Sequence, residues 1–126
     1  GALQPLEEIS KLVHAADSLL VVDAVTSYCG VPLKVDEWGI DAIYTGSQKN
    51  LSAPPGLSPV SFSPRAVEVL ENRKTKVQSW FLDLNLVKNY WAGAKRAYHH
   101  TAPVSAVFAM HEALNLVMEE GLEKTL

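Results

Sequence analysis

The chain contains 126 residues with a mass of 13.8 kDa, which is enough for one domain. It carries 11 basic against 14 acidic side chains, a formal net charge of −3 and a pI near 5.8, so its charge does not favour nucleic-acid binding. The apolar fraction of 48% allows a packed core and argues against intrinsic disorder. The longest strictly apolar run, residues 19–22, is far shorter than the roughly 20 residues that cross a bilayer, so we expect no membrane partner.

The cysteine content and the first residues bear on where the protein works. Cys29 is the only cysteine, which excludes an internal disulfide and favours an intracellular protein. The chain does not begin with Met, and its first residues do not form a targeting peptide, so we expect it to be part of a longer protein. His99 and His100 are adjacent and share no helical face, and we predict no metal site.

The first half of the chain predicts one helix and three strands. Residues 5–16 place apolar side chains on one helical face, and Pro5 suits the first helical position. The strands are predicted at residues 18–25, 41–46 and 57–63. The first of them is a continuous apolar run, typical of a strand buried on both faces, whereas Pro59 favours an edge position for the third.

The second half of the chain predicts three helices. Ser63 is suited to cap the first of them and Pro64 to begin it, and Gly121 is the expected stop of the last. The helices are predicted at residues 64–72, 84–92 and 101–120. In the last helix, apolar residues and one histidine recur at helical spacing, at Val104, Val107, Phe108, His111, Leu114 and Met118.

The predicted order is therefore α-β-β-β-α-α-α. Short apolar strands between helices are typical of an α/β fold with a mostly parallel sheet. Three strands leave sheet faces and edges to be covered, so we expect part of the sheet to lie outside this chain.

Two ionisable residues follow the ends of predicted strands. Asp23 ends the first strand, where its carboxylate is either a turn residue or a group aimed into the crevice where α/β proteins bind ligands. Lys49 follows the second strand, and is either a solvated loop lysine or a nucleophilic amine. An amine and a carboxylate in this arrangement suit pyridoxal phosphate (PLP), which needs a lysine for its aldehyde and an acid for its pyridinium nitrogen.

Two segments carry a resemblance to a known family. Residues 21–63, VVDAVTSYCGVPLKVDEWGIDAIYTGSQKNLSAPPGLSPVSFS, contain a strand ending in Asp, a Gly-Val-Pro turn, Gly-Ile-Asp, Gly-Ser-Gln-Lys and Pro-Pro-Gly. Residues 97–123, AYHHTAPVSAVFAMHEALNLVMEEGLE, contain Tyr-His-His-Thr and a long helix after it. Together they resemble the central part of the class V PLP-dependent aminotransferases, most closely their alanine–glyoxylate (serine–pyruvate) branch, and the resemblance extends over roughly residues 3–123.

The resemblance implies roles in cofactor binding for four residues around the first two strands. Lys49 would form the Schiff base with PLP and move the proton at the substrate carbon. Asp23 would pair with the pyridinium nitrogen, Val25 would lie against the ring and Gln48 would reach the phosphate.

The resemblance also implies a homodimer with its sites at the interface. Tyr98 and Thr101 would contact the phosphate of the neighbouring subunit's cofactor. Residues 1–100 would belong to the PLP-binding large domain of a fold-type-I enzyme, and residues 101–126 would form the long helix that leads towards the small domain.

The reaction implied is the transfer of an amino group from alanine or serine to glyoxylate or pyruvate, in a peroxisomal or mitochondrial setting. The phosphate-binding loop would lie before Gly1 and the arginine for the substrate carboxylate beyond Leu126, so we expect the chain alone to be inactive. Two alternatives remain open: another fold-type-I enzyme, such as a phosphoserine aminotransferase or a kynureninase-like hydrolase, and a non-catalytic α/β interaction module.

Overall fold

The computed structural model describes residues 1–92, 94–95 and 97–125. The elements are α1 (Leu6–Ala15), β1 (Val21–Asp23), β2 (Ala42–Tyr44), β3 (Val60–Phe62), α2 (Pro64–Glu71), α3 (Leu84–Ala92), α4 (Val104–Glu120) and α5 (Leu122–Thr125). This order confirms the predicted α/β succession and adds the short helix α5 at its end. Gly93 and Arg96 of the predicted 1–100 segment, and Leu126 of the 101–126 segment, lie outside the described residues. Within the described ranges, no helix is long and apolar enough to cross a membrane.

The sheet has the strand order β1-β2-β3 and is mixed. Strands β1 and β2 are parallel, with Asp23 opposite Tyr44, whereas β2 and β3 are antiparallel. The expectation of a mostly parallel sheet therefore holds for one of the two strand pairs in the part of the chain that the structure describes. Strand β3 lies at the edge of this sheet, as Pro59 predicted.

Each strand is only three residues long, shorter than the sequence predicted. The apolar run continues on both sides of β1, and Leu20 and Ala24 still form backbone hydrogen bonds with Ala42 and Tyr44, but other hydrogen bonds limit the regular strand. At its start, the Leu20 N–H donates to the side chain of Asp41 (2.9 Å). At its end, the Ala24 carbonyl accepts from the N–H groups of Ser27 and Tyr28, which begins a turn. The apolar pattern predicted the buried segment, but hydrogen bonds with the Asp41 side chain and within the following turn determine where β1 begins and ends.

The helix ends follow the predicted signals except at the starts of α1 and α4. Helix α4, predicted from Thr101, begins at Val104 with Pro103 at its N-cap. Ser63 caps α2 by accepting from the Ala66 N–H (3.1 Å), and Gly121 ends α4 with a φ of 87°. Pro5, predicted as the first helical residue of α1, instead occupies the N-cap position, and its carbonyl accepts from the Ile9 N–H (3.1 Å).

The buried apolar residues form two clusters. The first lies between the sheet and α1, and its buried members are Leu20, Val22, Ala24, Ile40 and Ile43. The second lies where the loops after β1 and β2 meet α4, and its buried members are Cys29, Leu51, Ala53, Met110 and Ala113. The half-buried ring of Tyr28 packs against both clusters and so joins them.

Helix α4 buries a different face from the one that its strongest apolar repeat suggested. Phe108 and Met118, at predicted helical spacing, are 74% and 76% exposed. Met110 and Ala113, roughly a third of a turn away around the axis, are buried against the loop residues instead. The helix is apolar on more than one side, so periodicity alone could not identify which side packs against the sheet loops.

The buried carboxylate of Asp41 lies at the start of β2. It accepts hydrogen bonds from the Leu20 N–H, the Ser63 hydroxyl (3.0 Å) and the His14 Nε2 (3.1 Å), and Arg65 Nη1 lies 3.4 Å away. Because an ionised carboxylate only accepts, the His14 proton sits on Nε2. These donors come from α1, the start of β1, the cap of α2 and α2 itself, so one side chain joins four parts of the fold.

The surroundings of Asp41 shift its titration. Burial raises the pKa of a carboxyl group, but the hydrogen bonds from Leu20, His14 and Ser63 outweigh that effect, and the pKa of Asp41 lies below its usual range. A folded-state pKa below the unfolded one means that Asp41 stabilises the fold fully above the unfolded value of about 3.9. That stabilisation is lost as the pH falls through the folded-state pKa.

Asp41→Asn should destabilise the protein that carries this chain by about 3 kcal/mol at neutral pH. The hydrogen-bond donors around this side chain would then face a neutral amide in place of the buried negative charge. The difference from the wild type should shrink as the pH falls below the unfolded-state pKa of about 3.9, measured as the free energy of urea unfolding. Asp17→Asn is the matched control, since that exposed carboxylate also contacts Arg65 (3.3 Å). Equal losses from the two variants would contradict the role given to Asp41.

Candidate active site

Asp23 is the last residue of β1 and its carboxylate is held at both oxygens. The backbone N–H of Val25 donates to Oδ1 (2.8 Å) and the Tyr44 hydroxyl donates to Oδ2 (3.0 Å). The side chain is exposed, so each oxygen keeps an acceptor position open to solvent. The structure therefore presents an oriented carboxylate at the carboxyl end of a parallel strand pair.

The loop after β1 is fastened to the residue that follows Lys49. The Asn50 side-chain amide donates to the carbonyls of Thr26 and Tyr28, both at 3.1 Å. Gly30 makes room for this contact, because a Cβ there would lie 2.3 Å from the Asn50 amide nitrogen. The residue after Lys49 is thus hydrogen-bonded to the loop that begins after Asp23.

The loop of Lys49 has a fixed backbone and a free side chain. Ser47 is fully buried, and its hydroxyl donates to the Pro54 carbonyl (2.6 Å). The Lys49 carbonyl accepts from the N–H of Ser52, which adopts a positive φ of 56°. The Lys49 side chain is exposed, and among the residues described, its amine forms no hydrogen bond or ion pair. An amine in this state is accessible to an electrophile.

Gln48 precedes Lys49 and its side chain folds back over the preceding glycine. A Cβ at Gly46 would lie 2.8 Å from the Gln48 Oε1. Thr45, also in this turn, donates its hydroxyl to the Ala24 carbonyl (3.1 Å) from a buried position. The segment that leads from β2 to Lys49 is therefore packed closely against the end of β1.

Tyr98 and Thr101 form a second, separate pair. Their hydroxyl oxygens lie 2.7 Å apart, and both side chains are exposed. Between them, the buried His99 stacks on the Trp80 ring at 4.1 Å and its Nε2 donates to the Trp80 carbonyl (3.0 Å). His99 thereby fastens the segment that carries the two hydroxyls to the connector before α3.

The structure brings some of the predicted site residues together and leaves others apart. Asp23 and Val25 are in contact, and the turn that carries Gln48 and Lys49 is bonded to the end of β1 and to the loop after it. Tyr98 and Thr101 contact each other. Across the described ranges, no hydrogen bond, ion pair or ring contact joins that pair to the other four residues.

Two residues that the sequence analysis did not single out belong to the site. Tyr44 holds Asp23, and Asn50 holds the loop after β1. Tyr44 could have been found by aligning the two parallel strands at their carboxyl ends, which places it opposite Asp23. For Asn50 the local sequence offers only a polar loop residue.

A cavity of about 540 Å³ runs along the free edge of β1 and reaches Asp23. Its other walls come from the N-terminal segment, residues 1–4, and from Thr26, Ser27 and Val31 in the loop after β1. Lys49 and Gln48 do not line it. Among the described residues, no three His, Cys, Asp or Glu side chains are arranged to hold a metal ion.

Comparison with known proteins places this geometry in a family. The chain matches the class V aminotransferases over residues 1–126. It is 48% identical to an alanine–glyoxylate aminotransferase from Oryctolagus cuniculus over 127 residues, which cover 99% of this chain and 32% of that protein.

Solved structures agree. A crystal structure of an alanine–glyoxylate aminotransferase from Nostoc sp. superimposes with a TM-score of 0.93 at 50% identity, covering 99% of this chain and 33% of that one. A ureidoglycine–glyoxylate aminotransferase from Bacillus subtilis gives a TM-score of 0.93 at 38% identity, covering 99% of this chain and 32% of that one. The neighbours confirm the fold-type-I expectation, and the chain spans about a third of the length of these relatives. With a family match over its full length, the chain belongs to the class V aminotransferases.

Proposed function

We propose that the chain is part of a PLP-dependent aminotransferase that moves an amino group from alanine or serine to glyoxylate or pyruvate. The relatives named above support glyoxylate as the acceptor, since it appears in the names of enzymes with different donors. Residues 1–100 would lie in the large, cofactor-binding domain, and residues 101–126 would lead towards the small one. The observation that carries the proposal is the Lys49 amine, which has no partner among the described residues and lies in a loop that Asn50 joins to the segment following Asp23.

The donor set fits PLP. A primary amine can hold the aldehyde carbon of the cofactor, and an ionised carboxylate can accept the N–H of a pyridinium ring. Asp23 keeps acceptor capacity after its two hydrogen bonds, and Lys49 has no acidic partner among the described residues to compete for its amine. When bound, PLP supplies an electron sink for negative charge at the substrate's alpha carbon.

Each residue then has a defined task. Lys49 Nζ would hold the cofactor, give way to the substrate amine and afterwards carry the proton at the alpha carbon. Asp23 would keep the ring nitrogen protonated. Val25 and Gln48 would contact the ring and the phosphate. Because the donor leaves as an oxo acid before the acceptor enters, we expect ping-pong kinetics.

Tyr98 and Thr101 would act across a homodimer interface. Both hydroxyls are exposed, and a hydroxyl that donates to a phosphate oxygen forms a strong, charge-assisted hydrogen bond. Their separation from the other site residues within the described part of the chain favours action on the phosphate held by the partner subunit.

Lys49→Ala in the full-length protein should abolish the covalent attachment of PLP, because it removes the amine. We would reduce the PLP-loaded protein with borohydride and locate the modified peptide by mass spectrometry. The wild type should carry the label on Lys49. Lys11→Ala is the matched control, since that exposed lysine is paired with Glu7 on α1 (2.8 Å) and should leave labelling unchanged. A label on another lysine, or none in the wild type, would contradict the proposal and favour a non-catalytic module.

A mixed dimer tests whether Thr101 acts on the partner's cofactor. In a homodimer, Thr101→Val should weaken PLP binding by about 10- to 100-fold, because it removes one charge-assisted hydrogen bond. In a dimer of one Lys49→Ala subunit and one Thr101→Val subunit, the only site with a lysine receives an intact Thr101 from its partner. PLP titration of that site should give the wild-type affinity.

Weakened binding in the mixed dimer would show that Thr101 acts within its own subunit. Thermal unfolding of the unloaded Thr101→Val protein is the control, because Thr101 precedes α4 and its loss should leave the fold intact.

A further inference from the structure

Tyr44 occupies the position next to Asp23 across the parallel strand pair. It is the last residue of β2, in register with the last residue of β1. Val22 and Ile43, one residue earlier in each strand, are buried, whereas Asp23 and Tyr44 are exposed. Side chains alternate along a strand, so the pair shares one face of the sheet, opposite to the one covered by α1. This register brings the phenol hydroxyl to 3.0 Å from Asp23 Oδ2.

The Tyr44 hydroxyl completes a two-point hold on the carboxylate. Val25 N–H fixes Oδ1 (2.8 Å) and Tyr44 fixes Oδ2, so rotation of the carboxylate about its Cβ–Cγ bond would break both hydrogen bonds. Without Tyr44, one backbone N–H would remain, and an exposed carboxylate with a single donor can turn towards water. The ring of Tyr44 is itself 40% exposed, so burial alone does not account for its place at this strand end.

We propose that Tyr44 is a positioning residue of the cofactor site, whose hydroxyl holds the Asp23 carboxylate in the orientation that receives a protonated ring nitrogen. The proposal rests on the function proposed above, since it assumes that Asp23 meets such a nitrogen. It assigns Tyr44 no contact with substrate and no proton to move.

The titration of Tyr44 agrees with a donor role. The hydrogen bond to Asp23 raises the pKa of the Tyr44 hydroxyl, with desolvation and the charge of that carboxylate acting in the same direction. The phenol therefore keeps its proton throughout the neutral range and remains a donor. The same shift leaves little phenolate to accept a proton in the neutral range.

The test is a double-mutant cycle in the full-length enzyme. Tyr44→Phe should weaken PLP binding by about three- to tenfold, the effect of losing one ordinary hydrogen bond, because Tyr44 acts on the ring nitrogen only through Asp23. The kcat should fall while the KM for the amino donor stays unchanged. In an Asp23→Asn background, Tyr44→Phe should cause no further loss, because the carboxylate that it positions is absent.

Tyr90→Phe is the matched control. It also removes a phenol hydroxyl, but that hydroxyl makes no hydrogen bond to another residue in the described part of the chain, and its ring contacts do not need it. PLP affinity should stay at the wild-type value. Equal affinity in Tyr44→Phe and the wild type, or an equal loss in both Asp23 backgrounds, would overturn the positioning role.

A readout without cofactor checks the hydrogen bond itself. In the unloaded protein with isotope-labelled tyrosine, the NMR signal of Tyr44, assigned by its absence in Tyr44→Phe, should titrate at higher pH than an ordinary tyrosine. In Asp23→Asn the titration should move back to lower pH. An unchanged titration would overturn the inference while leaving the proposed function standing. An Asp23→Asn enzyme with wild-type PLP affinity and undiminished turnover would instead overturn the proposed role of Asp23 and, with it, this inference.

Discussion

A single buried carboxylate fixes how the sheet meets its helices. Asp41 accepts hydrogen bonds from α1, from the start of β1 and from the cap of α2. Backbone hydrogen bonds from the Asp41 N–H to the Leu20 carbonyl and from the Ser63 N–H to the Asp41 carbonyl reinforce two of these links, and apolar contacts join α1 to the sheet as well. Apolar packing is non-directional and tolerates sliding, whereas hydrogen bonds to a buried charge do not. Together with the backbone hydrogen bonds between the two strands, Asp41 supports the register that places Asp23 opposite Tyr44 three residues later.

Asp41 and Asp23 lie at opposite ends of this strand pair, and their different surroundings suit them to different roles. Asp41 is buried and three donors, with a nearby guanidinium, use its acceptor capacity, so nothing remains for a ligand. Asp23 is exposed and has one donor on each oxygen, so it is oriented but not saturated. An aspartate therefore stabilises the fold at the amino ends of the strands, whereas another stays available for a ligand at the carboxyl ends, where α/β proteins bind ligands.

Short-range sequence patterns predicted the features that depend mainly on interactions between neighbouring residues. The N-cap of α2, the glycine that ends α4, the element order and the position of Asp23 at the end of β1 all follow from short-range patterns, whereas Lys49 lies five residues after the end of β2. The sequence did not identify Asp41 as a structural centre, because its hydrogen-bond donors lie at the distant positions 14, 20, 63 and 65. In the local sequence, a polar residue before a strand looks like any turn residue. The buried face of α4 could not be predicted for a related reason. Met110 and Ala113 pack against loop residues about 60 to 80 positions earlier, and helical periodicity carries no information about such distant contacts.

The contrast between a rigid backbone and a free side chain at Lys49 explains how one residue could serve two steps. Ser47 and Ser52 form hydrogen bonds within the loop, and Asn50 joins the loop to the segment that follows Asp23, so the backbone at Lys49 is held in place. Its amine, at the end of a flexible four-carbon stem, makes no bond among the described residues that would hold it in one rotamer. A lysine that must first hold a cofactor and later carry a proton at a different atom needs that freedom, because the two tasks require different positions of Nζ. An ion pair with a nearby carboxylate would restrict the movement and keep the amine charged, and the described residues around Lys49 provide none. The site thus combines a carboxylate oriented by two hydrogen bonds with an amine that has no partner among the described residues, an arrangement that suits the proposed transamination.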